Sequence, residues 1–160
     1  TIKVDAPQGY LSLRLKNATK QYLIETRIME ENQAATLNVQ KLGSTEKYIV
    51  GTYELEVLTL PRTYITVDIN QSSTTYVDIL APGNFYFKAN NLISGQVFTI
   101  NDDGTFSWVC NLTDKSHTEN WQLQPGRYKV VYRDKNVKST LFTSEKEFSI
   151  YSNKTTSLNL

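Results

Sequence analysis

Few residues of this chain have the chemistry of a catalytic or ligand-binding site. His117 is the only histidine, and it stands beside Ser116 with Asp114 close by. A Ser-His-Asp set works when separated elements bring the three together around an oxyanion hole. Neighbours in one polar stretch do not provide that, so His117 reads as a solvated loop residue. Cys110 is the only cysteine. A reactive thiolate needs a positive, partly exposed setting. By strand parity Cys110 shares a face with Phe106, Trp108 and Leu112, which predicts a small apolar core residue. Asn101-Asp102-Asp103-Gly104 offers oxygen ligands for a hard cation. The calcium-loop pattern requires a Glu at its twelfth position, and counting from Asn101 that position is Leu112. A tight hairpin turn is the better reading of Asp-Gly.

Aromatic side chains offer broad contact area with a polar edge. Trp108, Trp121, Tyr86 and Phe87 are candidates for a glycan platform. Trp108 is expected in the core by parity, and Tyr86 and Phe87 must point to opposite faces. Trp121, expected in the loop before Pro125, is the best exposed candidate. The plainer expectation is that it covers one end of the fold. A lysine–asparagine isopeptide crosslink would need Lys, Asn or Asp, and an acid together in the core, whereas most Lys and Glu fall at polar-face or loop positions. Asn17, Asn70, Asn111 and Asn153 begin Asn-x-Ser/Thr triplets, which matter only in a eukaryotic secretory path. No catalytic residue, metal ligand or cofactor-binding residue is assigned, and no cofactor is expected.

The elements that would position these residues are written twice. Ala6-Pro7-Gln8-Gly9-Tyr10 parallels Ala81-Pro82-Gly83-Asn84-Phe85, and Gly51-Thr52-Tyr53 parallels Gly126-Arg127-Tyr128, both at an offset of 75 residues. Further on, Ile65–Ile69 parallels Lys146–Ile150 and Thr74–Ile79 parallels Thr155–Leu160, at an offset of 81. An insertion of six residues around Arg133–Thr143 accounts for the change. Self-similarity at a nearly fixed period marks a tandem array. Two domains follow, 1–80 and 81–160, with the boundary near Leu80–Pro82 and almost no linker. Thr1–Val4 matches the strand before Ala81-Pro82, which makes it the expected last strand of an earlier repeat and the chain an expected piece of something longer.

Alternation of apolar and polar residues dominates both copies, as in Leu11–Leu15, Tyr53–Val57, Phe106–Leu112 and Tyr128–Tyr132. Such alternation marks strands with one buried face. Turn residues between the runs include Asn70–Ser73, Pro82-Gly83 and Pro125-Gly126. The predicted fold class is all-β: two tandem antiparallel β-sandwich domains, immunoglobulin-like or transthyretin-like. Ser44–Ile49 and Thr113–Asn120 lack a clear pattern and are expected as loops or short helical turns. Glu25–Gln33 has some helical composition, but the repeat pairs it with Ile100–Trp108, a hairpin. Gly51 and Gly126 are expected to let the chain turn sharply through positive φ. Tyr53 and Tyr128 are expected to point inward, with each hydroxyl reaching a polar loop end.

Charge and length narrow the function. With 17 Lys and Arg against 16 Asp and Glu the net charge is +1, and there is no basic stripe to bind nucleic acid. No apolar run is long enough to span a bilayer as a helix. One cysteine makes no internal disulfide.

The Pro-Gly opening, the hairpin, Pro125-Gly126-Arg127-Tyr128-Lys129-Val130, and the closing strand after Thr-Thr resemble the transthyretin-like or carboxypeptidase-regulatory-like sandwich. Pro125–Arg133, Lys135–Thr140 and Thr143–Ile150 resemble the C-terminal repeats of von Willebrand factor type A domain proteins from Bacteroidetes, a resemblance that covers most of residues 81–160 and, more weakly, 6–80. The resemblance implies a cell-envelope setting, extracytoplasmic in a bacterium, and a spacer or protein-interaction role for an upstream domain of the same polypeptide. The metal site of that upstream domain needs Asp-x-Ser-x-Ser, which Asp68-Ile69-Asn70-Gln71-Ser72 does not supply. The alternative function is a carbohydrate-binding module with Trp121 as its platform.

Overall fold

The computed structural model describes residues 5–160; the Thr1–Val4 strand expected above lies outside them. The described chain is nearly all β and divides into two compact units, Thr1–Leu80 and Ala81–Leu160. Each unit contains two sheets in a sandwich-like arrangement. Unit 1 holds β1 (Gln8–Lys16), β2 (Glu25–Glu30), β3 (Asn38–Lys41), β4 (Thr45–Ile49), β5 (Gly51–Val57), β6 (Thr63–Ile69) and β7 (Thr74–Leu80). Its sheets have the orders β4-β1-β7 and β3-β2-β5-β6. Unit 2 holds β8 (Gly83–Lys88), β9 (Ile93–Ile100), β10 (Phe106–Asn111), β11 (Thr118–Leu123), β12 (Gly126–Asp134), β13 (Ser144–Ile150) and β14 (Thr155–Asn159). Its sheets, β11-β8-β14 and β10-β9-β12-β13, repeat those of unit 1 strand for strand. Pairing is antiparallel except that the first and last strands of each unit, β1 with β7 and β8 with β14, run parallel.

The register corrects the sequence alignment by one residue at the start of each unit. Tyr10 lies opposite Thr74, and Asn84 lies opposite Thr155. Leu11 therefore corresponds to Phe85 and Leu13 to Phe87, all four fully buried. Matching Ala6-Pro7 to Ala81-Pro82 would have set Leu11 against the outward Tyr86. A slip of one residue exchanges the two faces of a strand, so burial fixes the register. Gly9 and Gly83 are also equivalent. A Cβ on Gly9 would stand 2.1 Å from the Asn70 carbonyl oxygen, and one on Gly83 2.3 Å from that of Tyr151. Only glycine lets the first strand pass the end of the sixth this closely.

Three further expectations are corrected. Ser44–Ile49 is largely strand β4, and the end of Thr113–Asn120 enters strand β11. Both are edge strands; in β4 only Tyr48 is buried, so one inward residue leaves no visible alternation. Glu25–Glu30 is a single strand equivalent to β9, not to the Ile100–Trp108 hairpin. Thr26 faces Val57 as Gly95 faces Tyr132. Connections of different length before and after this strand hid the match.

Each core is filled from both sheets. In unit 2 Phe85 on β8 stacks on Phe148 on β13 at 4.2 Å between ring centroids, and Tyr128 on β12 lies 5.5 Å from Phe148. In unit 1 Leu11 and Val67 stand at the Phe85 and Phe148 positions. There Tyr48 supplies a ring 5.5 Å from Tyr53. Burial of each large apolar side chain contributes roughly 1.5–3 kcal/mol. The source of aromatic bulk thus shifts between strands, the kind of exchange that close-packed cores accept.

Unit 1 also has a polar interior that the sequence did not reveal. Gln40 is fully buried and its Nε2 donates to the carbonyls of Leu11 at 2.9 Å and Ser44 at 3.1 Å. Its Oε1 accepts the Tyr48 hydroxyl at 2.9 Å, and the Tyr48 oxygen accepts Asn38 Nδ2 at 2.9 Å. The side-chain amide thus ties β3 to β1 across the two sheets.

Candidate functional site

The residues first considered for catalysis are not brought together. His117 is exposed in the β10–β11 connection, where its carbonyl accepts the Ala89 amide at 2.8 Å. Ser116 Oγ accepts the Thr118 amide at 3.3 Å. Asp114 pairs with Lys135 at 3.2 Å. These are loop-bracing contacts. Asn101–Gly104 forms the hairpin turn, with Asn101 N–H donating to the Thr105 carbonyl at 2.9 Å. Asp103 accepts both the amide and the hydroxyl of Thr105, which hold its carboxyl below the usual range. Among the described residues no cluster of His, Cys, Asp and Glu could hold a metal ion, and no lysine is buried beside an asparagine in a core.

Cys110 is buried, and burial pushes its thiol up to about 11, with the Glu119 carboxylate adding to the effect. A thiol so placed stays protonated and unreactive at neutral pH. Its strand is not regular, however. β10 carries a bulge between Trp108 and Cys110, so that Val109 and Cys110 are both buried. This overturns the placement of Trp108 and Phe106 in the core. One inserted residue reverses parity, leaving Phe106 51% and Trp108 58% exposed on the outer face.

Trp121 also differs from expectation. It lies in β11 opposite Phe85, not in a loop, and is only half-buried. Its Nε1 donates to Glu119 Oε2 at 2.9 Å. Glu119 is further held by the amide of Thr113 at 2.9 Å and its hydroxyl at 2.6 Å. Trp121 is thus roped to its own loop and faces the same side as the core residue Phe85. Tyr86 is half-buried and Phe87 fully buried, on opposite faces of β8.

The Gly-x-Tyr elements make the same contact in both units. The Tyr53 hydroxyl donates to the Ile49 carbonyl at 2.7 Å, and that of Tyr128 to the Gln124 carbonyl at 2.5 Å. Burial raises the pKa of both phenols. Gly126 takes a φ of 157°, but Gly51 does not take a positive φ, so the conformational reason for glycine at 51 falls away. A Cβ at either position would stand 3.7 Å from the tyrosine ring, an ordinary contact.

The surface with the features of a binding site is the outer face of the β10-β9-β12-β13 sheet. Trp108 lies opposite Phe98 and Phe106 opposite Ile100. Lys129 Nζ sits 4.5 Å from the centroid of the Phe106 ring and pairs with Glu145 at 3.2 Å. Trp108 Nε1 donates to Asn111 Oδ1 at 3.0 Å, which fixes the orientation of the indole. Asn111 in turn lines a cleft of about 420 Å³ together with Gln96, Asp114, Val131, Arg133 and Thr143. Aromatic rings beside convergent polar groups are the usual composition of a ligand site. The sequence held one signal for it: Val109-Cys110 places two adjacent apolar residues in a strand that otherwise alternates, a break in parity.

No family model and no curated protein sequence matches the chain. Several solved structures are similar to it. The TIE protein of Bacillus anthracis is 14% identical with a TM-score of 0.35, over 96% of this chain and 34% of that one. The chain thus spans about a third of that protein's length. The minor pilin GBS52 of Streptococcus agalactiae is 12% identical with a TM-score of 0.41, over 97% of this chain and 94% of that one. The shaft pilin SpaA of Lactobacillus rhamnosus GG is 11% identical with a TM-score of 0.33, over 97% of both chains. Among the described residues, no helix is long and apolar enough to cross a membrane.

Proposed function

We propose that the chain is a non-catalytic spacer and protein-interaction module of a bacterial surface protein, composed of two β-sandwich domains, 1–80 and 81–160. The observation that carries this reading is the duplication itself. One seven-strand plan is built twice in tandem with different core side chains, and the same tyrosine-to-carbonyl contact closes both copies. Stacking copies of a module extends a chain in space without any chemistry at the centre of each copy. Gly51, Tyr53, Gly126 and Tyr128 serve the fold in this reading. Partners would engage loops at a sandwich end or an unpaired strand edge, where free backbone groups accept a further strand. The upstream partner suggested by the sequence resemblance is a von Willebrand factor type A domain of the same polypeptide, and the setting is extracytoplasmic, at the cell surface or in the periplasm.

The test is immunolabelling with antibodies raised against residues 81–160 on intact cells of the source organism. Labelling of intact cells supports the reading. Labelling confined to permeabilised cells removes the surface assignment, and recovery of the protein in the cytosolic fraction removes the reading altogether. The carbohydrate reading centred on Trp121 draws no support from the geometry, because that indole is half-buried on the side of β11 that faces the core with Phe85.

A further inference from the structure

Three departures of unit 2 from the plan of unit 1 fall in one place. The first is the bulge in β10, which turns Phe106 and Trp108 outward. The second is the longer β12, of 9 residues against 7 in β5, which carries Arg133 beyond the point where β5 ends. The third is the extended β12–β13 connection, whose Thr143 supplies part of the cleft wall. Both sheets fold on the same plan, so none of the three is required to make the fold.

We infer that this face of unit 2 binds a carboxylate-bearing saccharide, with a sugar ring on Trp108 and the acidic group in the adjoining cleft at Arg133. Each part of the surface fits that class of ligand. The Trp108 indole is flat, exposed and held by Asn111, so a pyranose can stack on it without first ordering the ring. The cleft lies on the same face, reached through Asn111, and offers amide donors and acceptors from Gln96 and Asn111 and a hydroxyl from Thr143. Sugar hydroxyls act as both donor and acceptor, and side-chain amides match them. Arg133 supplies the charge. It is half-buried, it lines the cleft, and its guanidinium makes no ion pair or hydrogen bond among the described residues. Asp114, the acid on the same cleft, is taken by Lys135. A planar guanidinium left open in this way complements a carboxylate, which it can hold through two parallel bonds. Cross-strand pairing with Phe98 and Ile100 accounts for aromatic residues suiting this sheet. It does not account for a Trp left 58% exposed beside a polar cleft.

The test is titration of the full chain with tetragalacturonate, with a hyaluronan tetrasaccharide and with the methyl ester of tetragalacturonate, followed by calorimetry. At least one of the acidic probes is expected to bind, and the ester to bind about tenfold more weakly than tetragalacturonate if that is the acid bound. Trp108→Ala is expected to lower affinity for the bound acid by about tenfold or more, Trp108→Tyr to restore most of it, and Trp121→Phe to leave it unchanged. Arg133→Gln is expected to remove about tenfold from acid binding. Far-UV circular dichroism of each variant separates lost binding from lost fold. The inference is overturned if none of the probes binds, or if a bound acid is unaffected by Trp108→Ala and Arg133→Gln. It is equally overturned if Trp108→Ala instead abolishes self-association of the chain, which would assign the face to a second copy. Failure here leaves the spacer reading standing, since that rests on where the protein resides.

Discussion

The outer faces of the two four-stranded sheets occupy the same place in the same plan, and both carry cross-strand ion pairs, but only the unit 2 face adds exposed aromatic rings. In unit 1 the face is a charge network. Glu56 on β5 pairs with Arg27 on β2 and with Arg62 at 3.7 Å, and the Tyr64 hydroxyl leans on the same carboxylate at 3.5 Å. Thr52 donates to Asp68 across the β5–β6 pair at 2.7 Å. In unit 2 the corresponding strands present Phe98, Ile100, Phe106 and Trp108, with Lys129 against the Phe106 ring. In unit 2 Arg127 and Lys129 pair with Glu147 and Glu145, yet the same face also leaves aromatic surface and an open guanidinium at Arg133. The shared plan is maintained by inward residues and backbone contacts, which frees the outer faces to diverge.

Breaking the inner plan has the largest expected effect. Phe85→Ala should cost about 3–5 kcal/mol and the equivalent Leu11→Ala about 2–5 kcal/mol, each through the cavity left behind. Denaturant unfolding measures both. Trp108 and Trp121 both belong to unit 2, so tryptophan fluorescence follows that unit, while circular dichroism follows the whole chain. A cost near zero at either site would refute the equivalence drawn from the register.

Next comes the polar interior around Gln40, which among the described residues has no counterpart in unit 2. Gln40→Ala should cost about 1–3 kcal/mol by leaving the Leu11 and Ser44 carbonyls and the Tyr48 hydroxyl short of partners. The equivalent position in unit 2 is the buried Leu112, where no such network is at stake. The two tyrosine contacts sharpen the shared side of the comparison. Tyr53→Phe and Tyr128→Phe should each cost about 1 kcal/mol, and similar values would mark the contact as part of the common plan.

On the outer face the expectation reverses. Trp108→Ala should change stability by less than about 1 kcal/mol, measured by thermal melting, because its ring is largely solvent-facing. A larger loss would make the aromatic face a structural element and weaken the contrast between the units. At neutral pH the smallest effect concerns Cys110. Its thiol titrates near 8.5 in an unfolded chain, roughly, and at about 11 when folded. The folded state therefore holds more protons between those values. The stability contributed by the buried thiol is complete below the lower pKa and is lost as pH rises through the higher one. The expected outcome is a stability decline confined to alkaline solution, together with slow iodoacetamide labelling at neutral pH. Rapid labelling of the native protein would contradict the burial.

Much of the plan was legible because it rests on local regularities. Alternation in Tyr53–Val57 and Tyr128–Val130 marks strands, since successive side chains of a strand must face opposite ways. The duplicated Gly-x-Tyr segments marked equivalent strands in the two copies. Edge strands escaped because one inward residue, Tyr48 in β4, makes no pattern. The Trp108 surface escaped because parity was carried straight through Val109, and a bulge is decided by how the partner strand hydrogen-bonds. Trp121 was placed in a loop because Thr113–Asn120 has no period of its own; its strand is specified by pairing with β8.

The amino-acid sequence by itself thus determined the all-β character, the repetition of one module, and the inward course of Tyr53 and Tyr128. These follow from steric and hydrophobic preferences that act within a few residues. The tertiary structure alone decided the one-residue register of β1 against β8, the outward turn of Phe106 and Trp108, the burial of Gln40, and the cleft between Asn111 and Arg133. Each of these depends on which strand lies beside which, and that is set by the packing of residues far apart in the chain.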